Sequence, residues 1–225
     1  MRLGLDYVRS IGDELAKKIE EHQPYESEED LVRRTGATQP AVEALATAGA
    51  FASLGQERRE ALWGAGAASQ TRPDRLEGIV TGTDAPQLPG MVDVEVAAAD
   101  LWATGVSVRH PMEFVRHRIP KAITIAGLQE VDDGTRVTLG GVVTHRQRPS
   151  TAQGTVFVNL EDETGILNVI CSAGVWARYR KVARASAALL VRGMLERTEG
   201  VTNLVAERIE ALPLATQAMK ARDFR

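Results

Sequence analysis

The 225-residue sequence has one cysteine, Cys171, so it can form no intramolecular disulfide and no cysteine-based zinc site. Its four histidines, His22, His110, His117 and His145, are scattered and lack metal-ligand spacing; His110 and His117 have no third ligand beside them. No run of about 18 apolar residues occurs, which excludes a membrane-spanning helix. The opening Met1-Arg2-Leu3-Gly4 has no apolar stretch ending in a cleavage site, so no secretory signal is read there and a cytoplasmic location is expected. There is no glycine-rich phosphate loop. The acidic run Glu161-Asp162-Glu163 falls at a hairpin, where Asp162 is expected to cap the turn rather than hold a metal. These absences argue against an enzyme and imply no cofactor. Cys171 ends a predicted strand and reads as a small buried hydrophobe.

What is present is ordinary for a folded protein: 44% hydrophobic and 25% charged residues. The net charge of −3 hides a gradient. Residues 1–60 carry eight bases against twelve acids, residues 121–213 carry eleven against ten, and the tail from Leu214 adds a net charge of +2. Any electrostatic footprint for an anionic partner must therefore be local.

Residues 1–68 read as helical. Leu5, Val8, Leu15, Ala16 and Ile19 recur at helical spacing around a break at Ser10-Ile11-Gly12. Asp13 can start the next helix and Pro24 ends it. Ser27 with Asp30 three residues on predicts a cap for a helix stopping near Gly36. Thr38 and Pro40 open another that Gly49 closes. A last helix is expected from Gln56 to about Ala68. Residues 69–120 read as a linker with two short helical pieces. From Thr135 the period changes to two: strands over 136–144, 156–161 and 166–171, a helix over 175–183, then strands over 187–195 and 201–212. Three strands, a helix and two strands is the order of the five-stranded OB barrel. The fold class is thus α+β, with an OB-fold over 121–213 and a tail over 214–225. The pair Gly140-Gly141 inside the first strand predicts a bulge or sharp bend.

Three motifs point to nucleic acid. The first is Val8-Arg9-Ser10-Ile11-Gly12 followed by Ala16 and Ile19. A helix-hairpin-helix joins two helices by a turn whose glycines let backbone amides approach a phosphate. Here the first of the usual glycines is Ser10, and the alternative is an ordinary helical corner without ligand. The second is the strand around Phe157. Alternation sends Val156, Val158 and Leu160 into the barrel and Phe157, Asn159 and Glu161 to the face on which OB-folds stack bases; the alternative is that a neighbouring loop covers Phe157. The third is basic. Arg146 and Arg148 are placed in the loop after the first strand, and Arg192 and Arg197 on or after the fourth; solvated surface arginine is the alternative. Arg178, Arg180, Lys181 and Arg184, on the barrel helix, read as solvated surface.

Leu3-Gly4-Leu5 through Gly12, then Ala48-Gly49-Ala50-Phe51-Ala52-Ser53-Leu54-Gly55, resemble the helix-hairpin-helix region that follows the catalytic domains of bacterial C-family replicative polymerases. Asp100-Leu101-Trp102-Ala103-Thr104-Gly105, His110-Pro111, the run Gly141 to Pro149 and the ending Arg222-Asp223-Phe224-Arg225 narrow this to the error-prone branch, the second alpha subunit of DNA polymerase III. The resemblance covers essentially the whole chain. It implies a C-terminal module that binds template or single-stranded DNA. The metal-holding palm carboxylates and the phosphoesterase-like domain of such polymerases lie upstream of it, so polymerase activity is not expected of this chain. Phe157 to Gly165 is also similar to anticodon-binding OB domains of class II aminoacyl-tRNA synthetases, which implies a base-stacking role for Phe157. An alternative is a protein-interaction module that docks onto mutasome accessory proteins or the sliding clamp. Gln87-Leu88-Pro89-Gly90-Met91 begins like a clamp-binding peptide and lacks its aromatic end.

Overall fold

The computed structural model describes residues 4–71, 82, 85–151, 154–198, 200–214 and 222–224. Part of the expected linker (72–81, 83 and 84), loop residues 152 and 153, Glu199 of the expected hairpin turn, and 215–221 and 225 of the tail lie outside them. The chain forms two compact units, residues 1–107 and 108–225.

The first unit is helical. A 3₁₀ turn at Leu5–Tyr7 precedes α1 (Asp13–Glu21), α2 (Glu28–Thr35), α3 (Gln39–Ala48), a 3₁₀ turn at Ala50–Leu54, α4 (Arg58–Ala68) and α5 (Asp93–Thr104). The punctuation follows the sequence. Ser27 Oγ accepts the Asp30 N–H at 3.1 Å and caps α2. Gly36 and Gly49 end α2 and α3 with φ of 69° and 78°, left-handed values that a side chain would resist. α3 is the central helix: Ala41, Val42, Ala44, Leu45 and Ala46 are fully buried. Its small residues let neighbouring helices approach closely, α4 presenting Ala61 and Ala65. α5 was expected as part of a linker, yet it packs on α3. Ion pairs of 2.7 Å, Arg58 to Asp100 and Arg59 to Glu95, fasten α5 to α4.

The second unit is a closed barrel. Its strands are β1 (Arg136–Gln147), β2 (Val156–Asp162), β3 (Gly165–Cys171), β4 (Ala188–Thr198) and β5 (Val201–Ala211), with α6 (Ala173–Ala185) between β3 and β4. The pairing runs β1-β2-β3-β5-β4 and back to β1, so no long edge is left open. A short β6 (Arg222–Phe224) lies parallel to His145–Gln147 of β1. Leu139, Val143, Val158, Leu160, Leu167, Val169, Leu189, Val191, Leu195, Leu204 and Ile209 fill the interior.

A bulge at Gly140-Gly141 is not found; it lies elsewhere in β1. The β1–β4 ladder is continuous from Arg136↔Met194 to Val142↔Ala188, and β1 bulges between Val143 and His145 instead. Gly140 serves packing. A Cβ there would lie 2.5 Å from Ile119 Cδ1 and 3.2 Å from Met112 Cε. The turns Pro111–Phe114 and Arg116–Arg118, also read as linker, thus form an apolar lid of Met112, Val115 and Ile119 over β1. Asp162 ties the lid down. Its buried carboxylate accepts the N–H groups of Thr164 (2.8 Å), Gly165 (3.2 Å) and Ile125 (2.9 Å), the Thr164 hydroxyl and the Arg116 guanidinium (3.1 Å). Arg116 also pairs with Glu163 at 2.7 Å. With its lone pairs occupied in this way, Asp162 is the turn cap that its place in the sequence suggested.

Candidate nucleic-acid interface

The outer wall of the barrel is set by strand register. Cross-strand partners place Gln147, Phe157 and Ile170 in one row, continued by Val205 and Met194 on β5 and β4. The next row holds His145, Asn159, Asn168, Asn203 and Glu196. None of these is in the barrel core. Phe157 and Asn159 are half-buried, Met194 is 39% exposed, and Ile166 at the end of the wall is 62% exposed. Asn168 Nδ2 donates to Asn203 Oδ1 at 2.8 Å. The wall therefore offers the apolar side chains of Phe157, Ile170, Val205 and Met194 beside the amides of Asn159, Asn168 and Asn203, which can donate and accept at once, with His145 and Glu196 at the ends of the second row. A stacked base fits the first row and its polar edge the second.

The four arginines expected to grip phosphates separate into two pairs. Arg148 leaves the end of β1, and Arg192 projects from β4 next to Thr138 and Arg208. Both are exposed and have no hydrogen-bond or ion-pair partner among the described residues. Arg146 and Arg197 are committed internally. Arg146, expected in a loop, sits inside β1 and is 6% exposed. Its guanidinium donates to the carbonyls of Ala183 (2.8 Å) and Ser186 (2.7 Å) at the C-terminal end of α6. A cation there meets orphan carbonyls and the negative end of the helix dipole. The bulge explains the placement: it shifts the in–out alternation of β1 by one residue, so Arg146 faces inward. Arg197 donates to the carbonyls of Val131 (2.7 Å) and Leu128 (2.6 Å), bracing the 3₁₀ turn Ala126–Glu130. Neither guanidinium is presented to a phosphate in this arrangement.

In the helical unit the hairpin turn is formed by Val8 to Gly12. Ile11 is 6% exposed and anchors the turn in the core. Ser10 is exposed with φ of 63°, so the position that glycine usually fills is left-handed here too, held by a serine. Gly12 is the N-cap of α1 in ordinary extended geometry. Arg9, which sequence reasoning did not single out, braces the turn. Its N–H donates to Ala103 O (2.7 Å), its Nε to Trp102 O (3.0 Å), and its guanidinium lies 4.7 Å from the Trp102 ring centroid.

No group of three or more His, Cys, Asp or Glu that could hold a metal occurs among the described residues. Burial pushes the Cys171 thiol up to about 12, so it is unreactive at neutral pH. His110 is held below its usual range by burial, opposed by the acidic charges of Glu161, Glu163, Asp162 and Glu113, and its Nδ1 accepts the Met112 N–H. No helix among the described residues is long and apolar enough to cross a membrane.

Comparison with known proteins agrees with this division. Residues 1–61 match the family model of the helix-hairpin-helix motif, and residues 137–212 that of the OB-fold nucleic acid binding domain. Curated relatives match the whole chain: error-prone DNA polymerases of Mycolicibacterium paratuberculosis (50% identical), Mycobacterium bovis (50%) and Nocardia farcinica (51%). The chain spans 21% of the length of each. Among solved structures, asparaginyl-tRNA synthetase from Pyrococcus horikoshii matches 43% of this chain and 24% of that one, at 19% identity and a TM-score of 0.36. Over its whole length the chain is thus homologous to the C-terminal region of bacterial error-prone DNA polymerases of the C family, a helix-hairpin-helix segment followed by an OB-fold.

Proposed function

We propose that this chain is the nucleic-acid-binding module of an error-prone DNA polymerase alpha subunit, holding template or single-stranded DNA during translesion synthesis and repair. The observation that carries this reading is the outer wall of the barrel, where Phe157 lies in an apolar row beside the amides of Asn159, Asn168 and Asn203. Arg148 and Arg192 are the cations left available at this wall, and the exposed turn at Ser10 and Gly12 is a second contact point for a backbone phosphate. Two arginines in place of four make the intrinsic affinity modest; tethering to a polymerase core would raise the effective concentration of DNA at the module. The exposed Leu62 and Trp63 on α4 support a second reading, a docking surface for mutasome proteins or the sliding clamp.

Fluorescence anisotropy with a short single-stranded oligonucleotide across a salt series tests the first reading. Replacing a stacking aromatic costs about 1–3 kcal/mol with little change in salt dependence. Losing one phosphate contact on a single strand flattens the log–log salt slope by about 0.7. Phe157→Ala is expected to weaken binding at every salt concentration, and Arg148→Ala mainly at low salt. If folded wild-type protein binds no oligonucleotide at low salt, or Phe157→Ala binds as wild type does, the stacking wall is refuted. In the first case the docking reading takes its place.

A further inference from the structure

Helix α6 differs from the other helices in how it treats its charges. In α1, α2 and α4 every cation but Lys17 is answered by an acid: Lys18 by Glu14, Arg33 and Arg34 by Asp30, Arg58 by Asp100, Arg59 by Glu95. Between Ala173 and Ala185 there are four bases, Arg178, Arg180, Lys181 and Arg184, and no acid. All four are exposed, and none has an ion-pair partner among the described residues. Arg178 leans on the ring of Tyr179, 5.6 Å from its centroid. The other three are at i, i+1 and i+4, which makes them neighbours on one side of the helix, where like charges repel. Arg184 gains from the helix dipole in the last turn. Arg180 and Lys181 lie further from the C-terminus and gain less. Val182 and Ala183 turn the opposite side of α6 to the barrel.

We propose that this face of α6 is a second nucleic-acid contact, a sequence-independent track for the sugar-phosphate backbone of a strand that continues beyond the barrel wall. Arg148 links the two surfaces. A Cβ built on Gly154 would lie 3.3 Å from the Ala173 Cβ, at the start of α6, and 3.9 Å from an Arg148 guanidinium nitrogen. The exposed cation at the end of β1 is therefore adjacent to the N-terminal end of the basic helix. Arg180 and Arg184 follow along the helix within about 20 Å of that end, at 1.5 Å per residue. The track extends the stacking wall proposed above and is tested apart from it.

The experiment compares the full chain with the triple variant Arg180→Gln, Lys181→Gln and Arg184→Gln. The substitutions are exposed and keep good helix formers, and circular dichroism checks the fold. Two oligonucleotide probes are used, a single strand of about 5 nucleotides, which one OB wall accommodates, and one of about 20, with poly-glutamate as an acidic-polypeptide control. The triple variant is expected to bind the short probe as wild type does. On the long probe it should bind about ten-fold more weakly at low salt, with the log–log salt slope reduced by about 2, as three lost phosphate contacts require. Wild-type affinity and slope on the long probe would overturn the track. So would loss of poly-glutamate binding with oligonucleotide binding unchanged, which assigns the surface to an acidic protein. If Phe157→Ala leaves the short probe unaffected while the triple variant weakens the long one, the wall fails and the track stands. If wild type binds neither probe, both fail.

Discussion

Glu28 is the residue whose placement is most at odds with its chemistry. It is 4% exposed in the first turn of α2, and neither carboxylate oxygen has a hydrogen-bond partner among the described residues. Removal from water pushes its pKa up to about 7 from an ordinary 4.5. The folded state therefore keeps the proton over a range in which the unfolded chain has released it. Stability contributed by the neutral form is complete below pH 4.5 and is lost as pH rises towards 7, a change of about 3 kcal/mol at 1.36 kcal/mol per unit. Urea melts at pH 5 and pH 8 should show that loss in wild type. In Glu28→Gln the difference should be largely absent. An equal difference in both proteins would show that another group is responsible.

At the scale of elements, two arginines two residues apart have opposite roles. Arg146 joins β1 to the C-terminal end of α6, and Arg148 touches no partner among the described residues. Arg146→Leu should lower the stability of the barrel by about 3 kcal/mol, because two charge-assisted hydrogen bonds go and their carbonyls stay buried. Arg148→Ala should change it by less than about 0.5 kcal/mol. Thermal unfolding of the two variants checks both, and equal midpoints would refute the division. The sequence made the strands legible because period-two alternation in 136–212 has few competing readings. It could not separate these two arginines, because the bulge after Val143 inverts the alternation and depends on pairing with β2. The lid was hidden for a related reason. Met112, Val115 and Ile119 sit on 3₁₀ turns too short to show a period, and only the space above Gly140 gives them a purpose. The outward position of Phe157 was readable, since β2 alternates without interruption.

At the scale of the molecule, residues 108–225 have their own core and lid and should fold as an isolated fragment. A barrel cut at residue 121, the boundary read from the sequence, would lose Met112, Val115 and Ile119. It would also lose Arg116 and leave Asp162 with one charged partner fewer inside the barrel. Burying each large apolar side chain is worth about 1.5–3 kcal/mol, so the shorter fragment gives up roughly 5 kcal/mol or more, much of the stability of a small domain. Circular dichroism melts should show a cooperative transition for 108–225 and none, or a far lower midpoint, for 121–225. Equal midpoints would mean that the lid is not part of the fold.

The brace at the hairpin has a consequence in time. Arg9 is held by the carbonyls of Trp102 and Ala103, which come more than ninety residues later in the chain. During synthesis at about 5–20 residues per second, the hairpin turn waits several seconds for the helix that steadies it. A corner that leaves the ribosome more than ninety residues ahead of its brace is thus among the last of its unit to be finished. A chain halted before α5 would carry the motif without its finished shape.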